Sequence, residues 1–353
     1  MLIHIAKNAI LNEIAIDQRL SENSGLEFKN KSIYKVIRFR NKIPLSFARI
    51  LYLFAPVVFF AFFAFFVFKK IARTRNIELP LGGVGLAFSE RQKVVLLRYD
   101  RSVDCVMIND YLYKKCSITT AFNAYLDSCH IFYKLAHTID RKYHLHFINA
   151  FEVILFNYSL DRQEKNSTQF IVCSHYDRWA TVILSKQWHN TCVVQHGILD
   201  NSFTPSVKLH APQKLVCFSE KERDVFIKRI YLAIPSYIDY VRPKLNLDTK
   251  IKCDVLIINN PIYLNSDINI FKSLVAKNIS VIFRPHPTVV SHVLNCIDEK
   301  YLSIGNSFPC PKVFVCREST LGTEYEFYGY KGVWWNDENS LDDILGMISN
   351  CLT

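Results

Sequence analysis

Short runs of β-branched and other apolar residues alternate with helix-like stretches through most of this 353-residue chain. Strands separated by helical segments predict βαβ units and therefore parallel sheets. The predicted helices include Trp179–Gln187, Glu220–Ile230, Ile268–Lys277 and Leu321–Tyr328. The predicted strands are Lys93–Leu97, Glu152–Phe156, Phe170–Cys173, Thr191–Val194, Lys214–Phe218, Asp254–Ile258, Ile279–Phe283, Val313–Cys316 and Gly332–Trp335. The chain is expected to be an α/β protein.

The predicted strands fall into two sets, separated by the polar stretch Tyr240–Lys252. Two sets favour two Rossmann-like domains that face each other across a cleft. We expect the boundaries to give a helical, basic and hydrophobic segment over residues 1–90 and domains over residues 91–240 and 241–353. The Pro- and Gly-rich stretch 80–85 predicts a turn-rich linker.

The segment Ile50–Phe68 is nineteen residues without a charge, and eight of them are Phe. This is close to the length that spans a bilayer core. Both flanks are basic, whereas a spanning helix usually has its Lys and Arg on one side, and Pro56 would interrupt a helix early. The pattern favours a re-entrant or interfacial segment on anionic lipid over about residues 42–75. A true span and a buried core helix are the alternatives.

The formal charge of +11 is concentrated near that segment. Residues 31–75 contain ten Lys or Arg and no Asp or Glu, which leaves about +1 for all the other residues. This distribution argues against a nucleic-acid-binding protein, which would carry a basic stripe on its folded domains. The eleven cysteines show no C-x-x-C spacing, so neither a metal site nor another cofactor is predicted, and buried free thiols are expected.

Gln195-His196-Gly197 follows a predicted strand, and a glycine there permits a sharp turn. Ligands of open α/β sheets bind at the carboxyl ends of the strands, where His196 would act as a general base on a hydroxyl group. The alternative is a structural histidine. His175 and Asp177 follow the preceding strand and are candidates to orient His196 or to contact an acceptor.

Arg284-Pro285-His286-Pro287 follows another predicted strand. Two prolines stiffen the loop, and the Arg284 guanidinium with the His286 imidazole offers donors to a phosphate. The alternative for Arg284 is an ordinary salt bridge.

Glu318-Ser319-Thr320 predicts a helix start directly after a strand. Helix-start amides and hydroxyls bind phosphate, and Glu324, one turn further on, would accept from ribose hydroxyls. The alternative is that Ser319 or Thr320 only caps the helix. Ser219-Glu220 is interpreted first as a helix cap and second as an acceptor-side contact.

The order of these three segments resembles that of bacterial surface-polysaccharide transferases of the GT-B type, which include capsule glycosyltransferases, polysialyltransferases and CDP-glycerol glycerophosphotransferases. The resemblance covers about residues 150–340. Gln195-His196-Gly197 is similar to their His-Gly segment, although polysialyltransferases often carry an acidic residue beside the Gly. Arg284-Pro285-His286-Pro287 matches their Arg-x-His-Pro segment. Ser319 and Thr320 with Glu324 and Gly329 resemble their paired hydroxyls, Glu and Gly.

The resemblance implies a GT-B-like fold, with an acceptor-side domain over residues 91–240 and a nucleotide-donor domain over residues 241–353. It implies transfer of a sugar from a nucleotide-sugar donor to a hydroxyl of a growing glycan, of capsule or lipopolysaccharide. The basic, hydrophobic segment over about residues 42–75 would hold the protein at the cytoplasmic face of the membrane. His196 would be the base, and the segments around His286 and Ser319 would hold the donor. Two alternatives stay open: a glycerol-phosphate transferase and a non-enzymatic membrane scaffold.

Overall fold

The computed structural model describes residues 2–22, 46–73, 84–88, 90–99, 103–161, 169–186, 190–196, 204–241, 245–260, 263–286, 289, 294–304, 308–317 and 319–353. The described residues form two compact units, the first ending at Val241 and the second containing residue 245 onwards. This division falls next to the boundary predicted at residue 240. The amino-terminal helices belong to the first unit together with its sheet, where the sequence predicted a separate segment over residues 1–90.

The first unit is built on a parallel sheet whose strands, within the described residues, lie in the order β2-β1-β3-β4-β5-β6. These are β1 (Val84–Ala87), β2 (Asp104–Met107), β3 (Phe170–Val172), β4 (Thr191–Val194), β5 (Lys214–Cys217) and β6 (Tyr237–Tyr240). The central strands β3 and β4 are buried at every position. Burial on both faces explains why they read as continuous apolar runs and not as an alternating pattern.

Helices cover this sheet on both faces. The described α-helices of the unit are α1 (Leu2–Glu22), α2 (Ser46–Arg73), α3 (Glu90–Tyr99), α4 (Ile108–Lys115), α5 (Ile118–Leu135), α6 (Ala150–Asp161), α7 (Arg178–Ser185) and α8 (Glu220–Val225). Two 3-10 helices cover Ala136–Thr138 and Arg141–Asn149, and a π-helix covers Phe226–Ile230. Most of these helices pack on one face, around Leu86, Val172 and Val193. Helix α3 packs on the other face, where Leu96 meets Ala87 and Ile171.

Two strand predictions in this unit are wrong. Lys93–Leu97 lies in α3, and Glu152–Phe156 lies in α6. Nearly all of α6 is buried, so its apolar residues form a continuous run that periodicity cannot distinguish from a strand. Strand β1 was missed, because its glycine reads as part of a turn. A Cβ atom on Gly85 would lie 2.7 Å from Val103 Cγ1, which explains why glycine suits this strand.

The second unit contains a parallel sheet with the strand order β10-β9-β7-β8. Its described strands are β7 (Leu247–Ile258), β8 (Val281–Arg284), β9 (Phe308–Cys316) and β10 (Lys331–Trp334), and its described α-helices are α9 (Leu264–Ala276), α10 (Thr320–Phe327) and α11 (Leu341–Leu352). Helices α9 and α11 share a core with Val255, Ile257 and Val315. Helix α10 packs on the opposite face through Tyr325 against Leu256 and Phe314. The prediction of an α/β fold with parallel sheets is confirmed.

Two helical glycines of this unit give a matched test of the packing. A Cβ atom on Gly322 of α10 would lie 2.5 Å from Cys316 Sγ and 2.8 Å from the Trp334 ring, whereas one on Gly346 of α11 meets nothing within 4 Å. We expect Gly322→Ala to lower the free energy of unfolding by about 1–3 kcal/mol, because the helix must move off the sheet. Gly346→Ala should raise it by about 0.5–1 kcal/mol. Urea denaturation measures both, and two changes of the same sign would contradict this packing.

Candidate functional site

The carboxyl ends of the strands in the second unit carry the polar residues of a candidate ligand site. From β7 the chain passes through α9 to β8 on one side, and it later returns to β9 on the other side of β7. The strand order therefore reverses between β7 and β9. Open α/β sheets bind ligands at such a switch point. Three segments meet there: Asn259-Asn260 after β7, His286 after β8, and Arg317 with Ser319 after β9.

Hydrogen bonds from the two asparagines tie these segments together. The His286 backbone N–H donates to Asn259 Oδ1 at 3.3 Å. Asn260 Nδ2 donates to the Arg317 carbonyl at 3.1 Å. Asn259 is 2 % exposed, and a buried amide is costly unless its polar atoms are paired. The ends of three strands are thus held at one edge by side chains that need these partners.

A buried carboxylate supports the asparagines from α9. Asp267 Oδ2 accepts from Asn259 Nδ2 at 2.7 Å and from the Asn260 backbone N–H at 3.1 Å. Burial raises the pKa of Asp267 to about 7, although these hydrogen bonds favour the charged form. The carboxyl group therefore titrates near neutral pH at the base of the candidate site.

Arg284 and His286 differ in their surroundings. Arg284 is the last residue of β8, and its Nη1 donates to the Ser303 carbonyl at 2.9 Å and to Ser303 Oγ at 3.2 Å. Its guanidinium lies over the Phe308 ring, and burial lowers its pKa. Alternation along β8 turns Arg284 towards the α10 face, together with Ile282. His286 lies beyond the end of the strand and is half-buried, and Pro287 of the same motif lies outside the described residues.

Arg317 is a second arginine at this edge that the sequence did not single out. It is 7 % exposed, and its guanidinium lies 3.6 Å from the centre of the Tyr263 ring. Its two terminal nitrogens donate to the two carboxylate oxygens of Asp337, both at 2.5 Å. Asp337 is exposed, and the ion pair lowers its pKa. Arg317 directly follows a buried strand and directly precedes the Glu318-Ser319-Thr320 motif. This position could have identified it from the sequence as a candidate site residue.

Helix α10 begins at the same edge. Ser319 is its N-cap residue, but the serine side chain makes no capping hydrogen bond. The Ser319 carbonyl accepts from the Thr323 N–H at 3.2 Å. The backbone N–H groups of a first helical turn have no partner within the helix, and they attract anions. Thr320 begins the helix, and Glu324 lies one turn further on, half-buried. The predicted capping role of the Ser319 hydroxyl is therefore not observed.

The first unit has its own polar edge, formed by residues after β3 and β4. The rings of His175 and His196 lie 4.5 Å apart between their centres. The His196 backbone N–H donates to His175 Nε2 at 3.2 Å. Burial lowers the pKa of His175, with a smaller contribution from His196, while a hydrogen bond to the Val194 backbone opposes this. His175 is therefore neutral at physiological pH and positions the segment that carries the half-buried His196.

Gln195 joins the ends of two neighbouring strands. It is fully buried, and its Nε2 donates to Glu222 Oε2 at 2.8 Å. Its Oε1 accepts from the Phe218 backbone N–H at 2.9 Å. Both amide atoms are thus engaged in holding the edge. Gly197, the third residue of the motif, lies outside the described residues.

The remaining candidates of this unit are at helix starts. Asp177 caps α7, since its Oδ1 accepts from the Trp179 and Ala180 N–H groups at 3.0 Å. Burial and, to a smaller extent, Glu13 raise the pKa of Asp177 to about 6. Ser219 caps α8 by accepting from the Glu222 N–H at 3.3 Å, which confirms the predicted cap. Glu220 is exposed in the first turn of that helix, and its Oε1 lies 3.8 Å from Arg223 Nη1.

Among the residues that the structure describes, no group of three or more His, Cys, Asp or Glu side chains is placed to hold a metal ion. The described cysteines are free thiols, and burial raises the pKa of several, including Cys192 to about 11. The second edge offers imidazole, amide, hydroxyl and guanidinium groups, and the first offers imidazole, amide, hydroxyl and carboxylate groups.

The raised pKa of Asp267 predicts a pH dependence of stability. Between about pH 4 and pH 7 the folded state holds a proton that the unfolded state has released, so the free energy of unfolding falls as the pH rises. Asp267→Asn keeps an oxygen acceptor for Asn259 and Asn260 but does not titrate. We expect the loss of stability from pH 5 to pH 8 to shrink by roughly 2–3 kcal/mol in this variant.

Urea denaturation at the two pH values measures this change. Asp342→Asn, at an exposed position of α11, is the matched control and should retain the wild-type pH dependence. Equal pH dependence in Asp267→Asn and the wild type would show that Asp267 is ionised throughout.

Comparison of the chain with protein-family models, with curated proteins and with solved structures finds no match.

Proposed function

We propose that this protein is a glycosyltransferase of the GT-B type. In this proposal it moves a sugar from a nucleotide-sugar donor to a hydroxyl of a growing cell-surface glycan, of capsule or lipopolysaccharide. In this proposal one parallel-sheet unit supplies the acceptor-side residues and the other supplies the donor-side residues. The protein works at the cytoplasmic face of the membrane, next to a glycan or lipid-linked glycan acceptor.

The observation that supports this proposal best is the edge of the second sheet. At its switch point, hydrogen bonds of Asn259 and Asn260 hold the segments of His286 and Arg317. Helix α10 begins in the same place, and the side chain of its N-cap residue Ser319 makes no capping hydrogen bond. Amides of a helix start, a hydroxyl and an imidazole are a donor set suited to phosphate. In the proposal His286, Ser319 and Thr320 hold the donor phosphates, and Glu324 accepts from the ribose.

Arg284 has a revised part in the proposal. Its contacts to Ser303 and Phe308 fix the segment between β8 and β9, and its guanidinium is also a source of positive charge. Arg317 lies closer in sequence to the helix start and adds a second positive charge to the donor site, where a phosphate would compete with the exposed carboxylate of Asp337. A guanidinium binds either anion through two parallel hydrogen bonds.

His196 is the proposed general base. It takes the proton of the acceptor hydroxyl as that oxygen bonds to the anomeric carbon of the sugar, and the bond from this carbon to the nucleoside phosphate breaks. The developing charge of the leaving group is stabilised by the donor-side groups. His175 and Gln195 hold the His196 segment, and Asp177, Ser219 and Glu220 lie on the acceptor side. No metal or other cofactor is required in this scheme.

Donor specificity tests the proposal directly. Purified protein is incubated with UDP-, GDP- and CMP-linked sugars and with CDP-glycerol, and thermal shift reports binding because a ligand of the folded state raises Tm. Stabilisation by a nucleotide sugar supports the glycosyltransferase, whereas stabilisation by CDP-glycerol alone indicates a glycerol-phosphate transferase. Absence of any shift would favour a membrane scaffold.

Donor-side variants should weaken nucleotide binding. We expect His286→Gln and Arg317→Gln each to raise the Kd of the stabilising nucleotide roughly 10-fold or more, because each loses a charge-assisted hydrogen bond to phosphate. Isothermal titration calorimetry measures the change. Lys300→Gln, on the exposed surface of the same unit, is the control. Unchanged affinity in both donor-side variants would remove this edge from the proposal.

The base variant should affect turnover and leave donor binding intact. We expect His196→Ala to lower kcat by roughly 10²–10⁴-fold, the usual contribution of a general base. The Kd of the nucleotide should stay within a factor of two, since the donor-side residues are unchanged. A radiolabelled-sugar transfer assay measures kcat, and full activity of the variant would exclude His196 as the base.

A further inference from the structure

Helix α2 lies along the first unit with one stripe of its surface buried. Ala55, Phe59 and Phe66 are 2–4 % exposed. Phe59 contacts Phe132 of α5, and Phe66 contacts both Tyr113 of α4 and Phe151 of α6. This stripe attaches the helix to the unit along its length. Within the described residues, the stretch Leu53–Ala72 is long and apolar enough to cross a membrane, yet only 17 % of it is buried. It is therefore not a core helix.

The opposite face of α2 is exposed and entirely apolar. With 100° per residue, the exposed positions of 53–72 cover an arc of about 140°. The residues in that arc are Leu53, Phe54, Val57, Phe60, Ala61, Ala64, Phe65, Phe68, Ile71 and Ala72. A helix on the surface of a soluble protein carries polar residues on this face. A contiguous exposed apolar surface that runs along twenty residues of a helix marks an interaction site.

Helix α5 extends the same surface. Its residues divide into a buried face, an exposed polar face and an exposed apolar face. The polar face carries Thr119, Asn123, His130 and Lys134, and the apolar face carries Ile118, Phe122, Leu126 and Tyr133. The apolar face is joined to α2 by ring contacts, in which Phe63 meets Phe122 and Tyr125 and Phe60 meets Tyr125. The two helices thus present one apolar surface, which we call the α2–α5 surface.

Packing of the amino-terminal helix restricts how α2 meets a membrane. Helix α1 precedes α2, but it packs on α7, which follows it. Asn12 Nδ2 donates to Thr181 Oγ1 at 3.1 Å, and Glu13 Oε1 accepts from the Arg178 N–H at 3.0 Å. Asp17 bonds to His146 at 2.6 Å, with both side chains buried. The segments before and after α2 therefore belong to one folded unit, whereas a single crossing would put them on opposite sides of the bilayer.

The charges around the α2–α5 surface identify its partner. Lys69 lies at the carboxyl end of α2, and Lys114 and Lys115 are exposed at the end of α4. The neighbouring Lys70 instead donates to the Tyr113 carbonyl at 2.6 Å. Lys69 Nζ lies over the ring of the exposed Phe65, as a lysine does when its chain follows an apolar surface. Helix α2 contains no Asp or Glu. Basic residues beside an apolar face suit the anionic headgroups of a bilayer.

We propose that the α2–α5 surface is a monotopic membrane-docking face, with α2 lying in the plane of one leaflet and not crossing it. The apolar arcs of α2 and α5 enter the acyl boundary, while Lys69, Lys114 and Lys115 contact anionic headgroups. The inference adds α5 to the membrane contact and fixes the course of α2. It stands independently of glycosyl transfer, because it rests on surface residues outside both candidate edges.

Vesicle binding of the full chain tests the docking face. We expect the wild type to float with vesicles of phosphatidylcholine and phosphatidylglycerol. Phe122→Gln/Leu126→Gln should lower the partition coefficient roughly 10-fold or more, since two apolar side chains leave the lipid. Asn123→Gln/His130→Gln, on the polar face of the same helix, is the matched control and should bind like the wild type. Thermal denaturation verifies that both double variants are folded.

The outcomes separate the possible occupants of the surface. Equal vesicle binding by the two double variants would overturn the role of α5. The wild type could instead form a dimer and not bind vesicles. If Phe122→Gln/Leu126→Gln then dissociates the dimer, a second copy of the chain covers the surface. Nucleotide affinity is measured on the same proteins. A wild type that binds nucleotide but not vesicles contradicts the docking face alone, whereas one that binds vesicles but no nucleotide contradicts the proposed reaction alone.

A topology measurement tests the in-plane course of α2. Epitope tags are placed at the amino and carboxyl termini, and intact bacterial spheroplasts are treated with external protease. We expect the two tags to be protected or digested together, because both flanks of α2 lie on the same side of the bilayer. Digestion of only one tag in intact spheroplasts would demonstrate a crossing and overturn the proposal.

Discussion

The candidate site of the second unit depends on one constraint: buried polar groups must have hydrogen-bond partners. Parallel strands end together at one edge, and Asn259 sits there almost without contact to solvent. Its amide is paired with the His286 N–H and with Asp267, and its neighbour Asn260 is paired with the Arg317 carbonyl. These bonds join the β8 loop, the β7 end and the β9 end into a rigid rim. In the proposed function this rim presents preorganised donors to a phosphate group.

The same reasoning explains the edge of the first unit. Gln195 is fully buried and uses both ends of its amide, and His175 accepts from the backbone of His196. The lowered pKa of His175 follows from its burial beside a second imidazole. His175 thereby serves as a neutral support, and His196 is the half-buried member of the pair. In the proposed mechanism this arrangement separates the residue that positions from the residue that takes the proton.

The α2–α5 surface shows a different use of apolar residues. One side of α2 contributes Phe59 and Phe66 to the core of the first unit, while the other side exposes only apolar residues. The conflict between a bilayer-length segment and two basic flanks is resolved by helix α1, which packs with elements from beyond α2. In the proposed docking, a helix that is attached along its length and flanked by one folded unit meets a bilayer from one side.

The sequence by itself determined the α/β class and located the buried strands β3, β4 and β5, because short apolar runs bounded by polar residues favour strands. It also located the polar segments after β4, β8 and β9, since such residues cannot continue a buried strand. Only the tertiary structure decided that Glu152–Phe156 is a helix, because a fully buried helix and a buried strand look alike in one dimension. Likewise, it revealed Arg317 and Asp267 at the rim and turned the Arg284 side chain to Ser303. The physical reason is that burial and hydrogen-bond partners are set by contacts between residues distant in the chain, and these contacts leave no local pattern in the sequence.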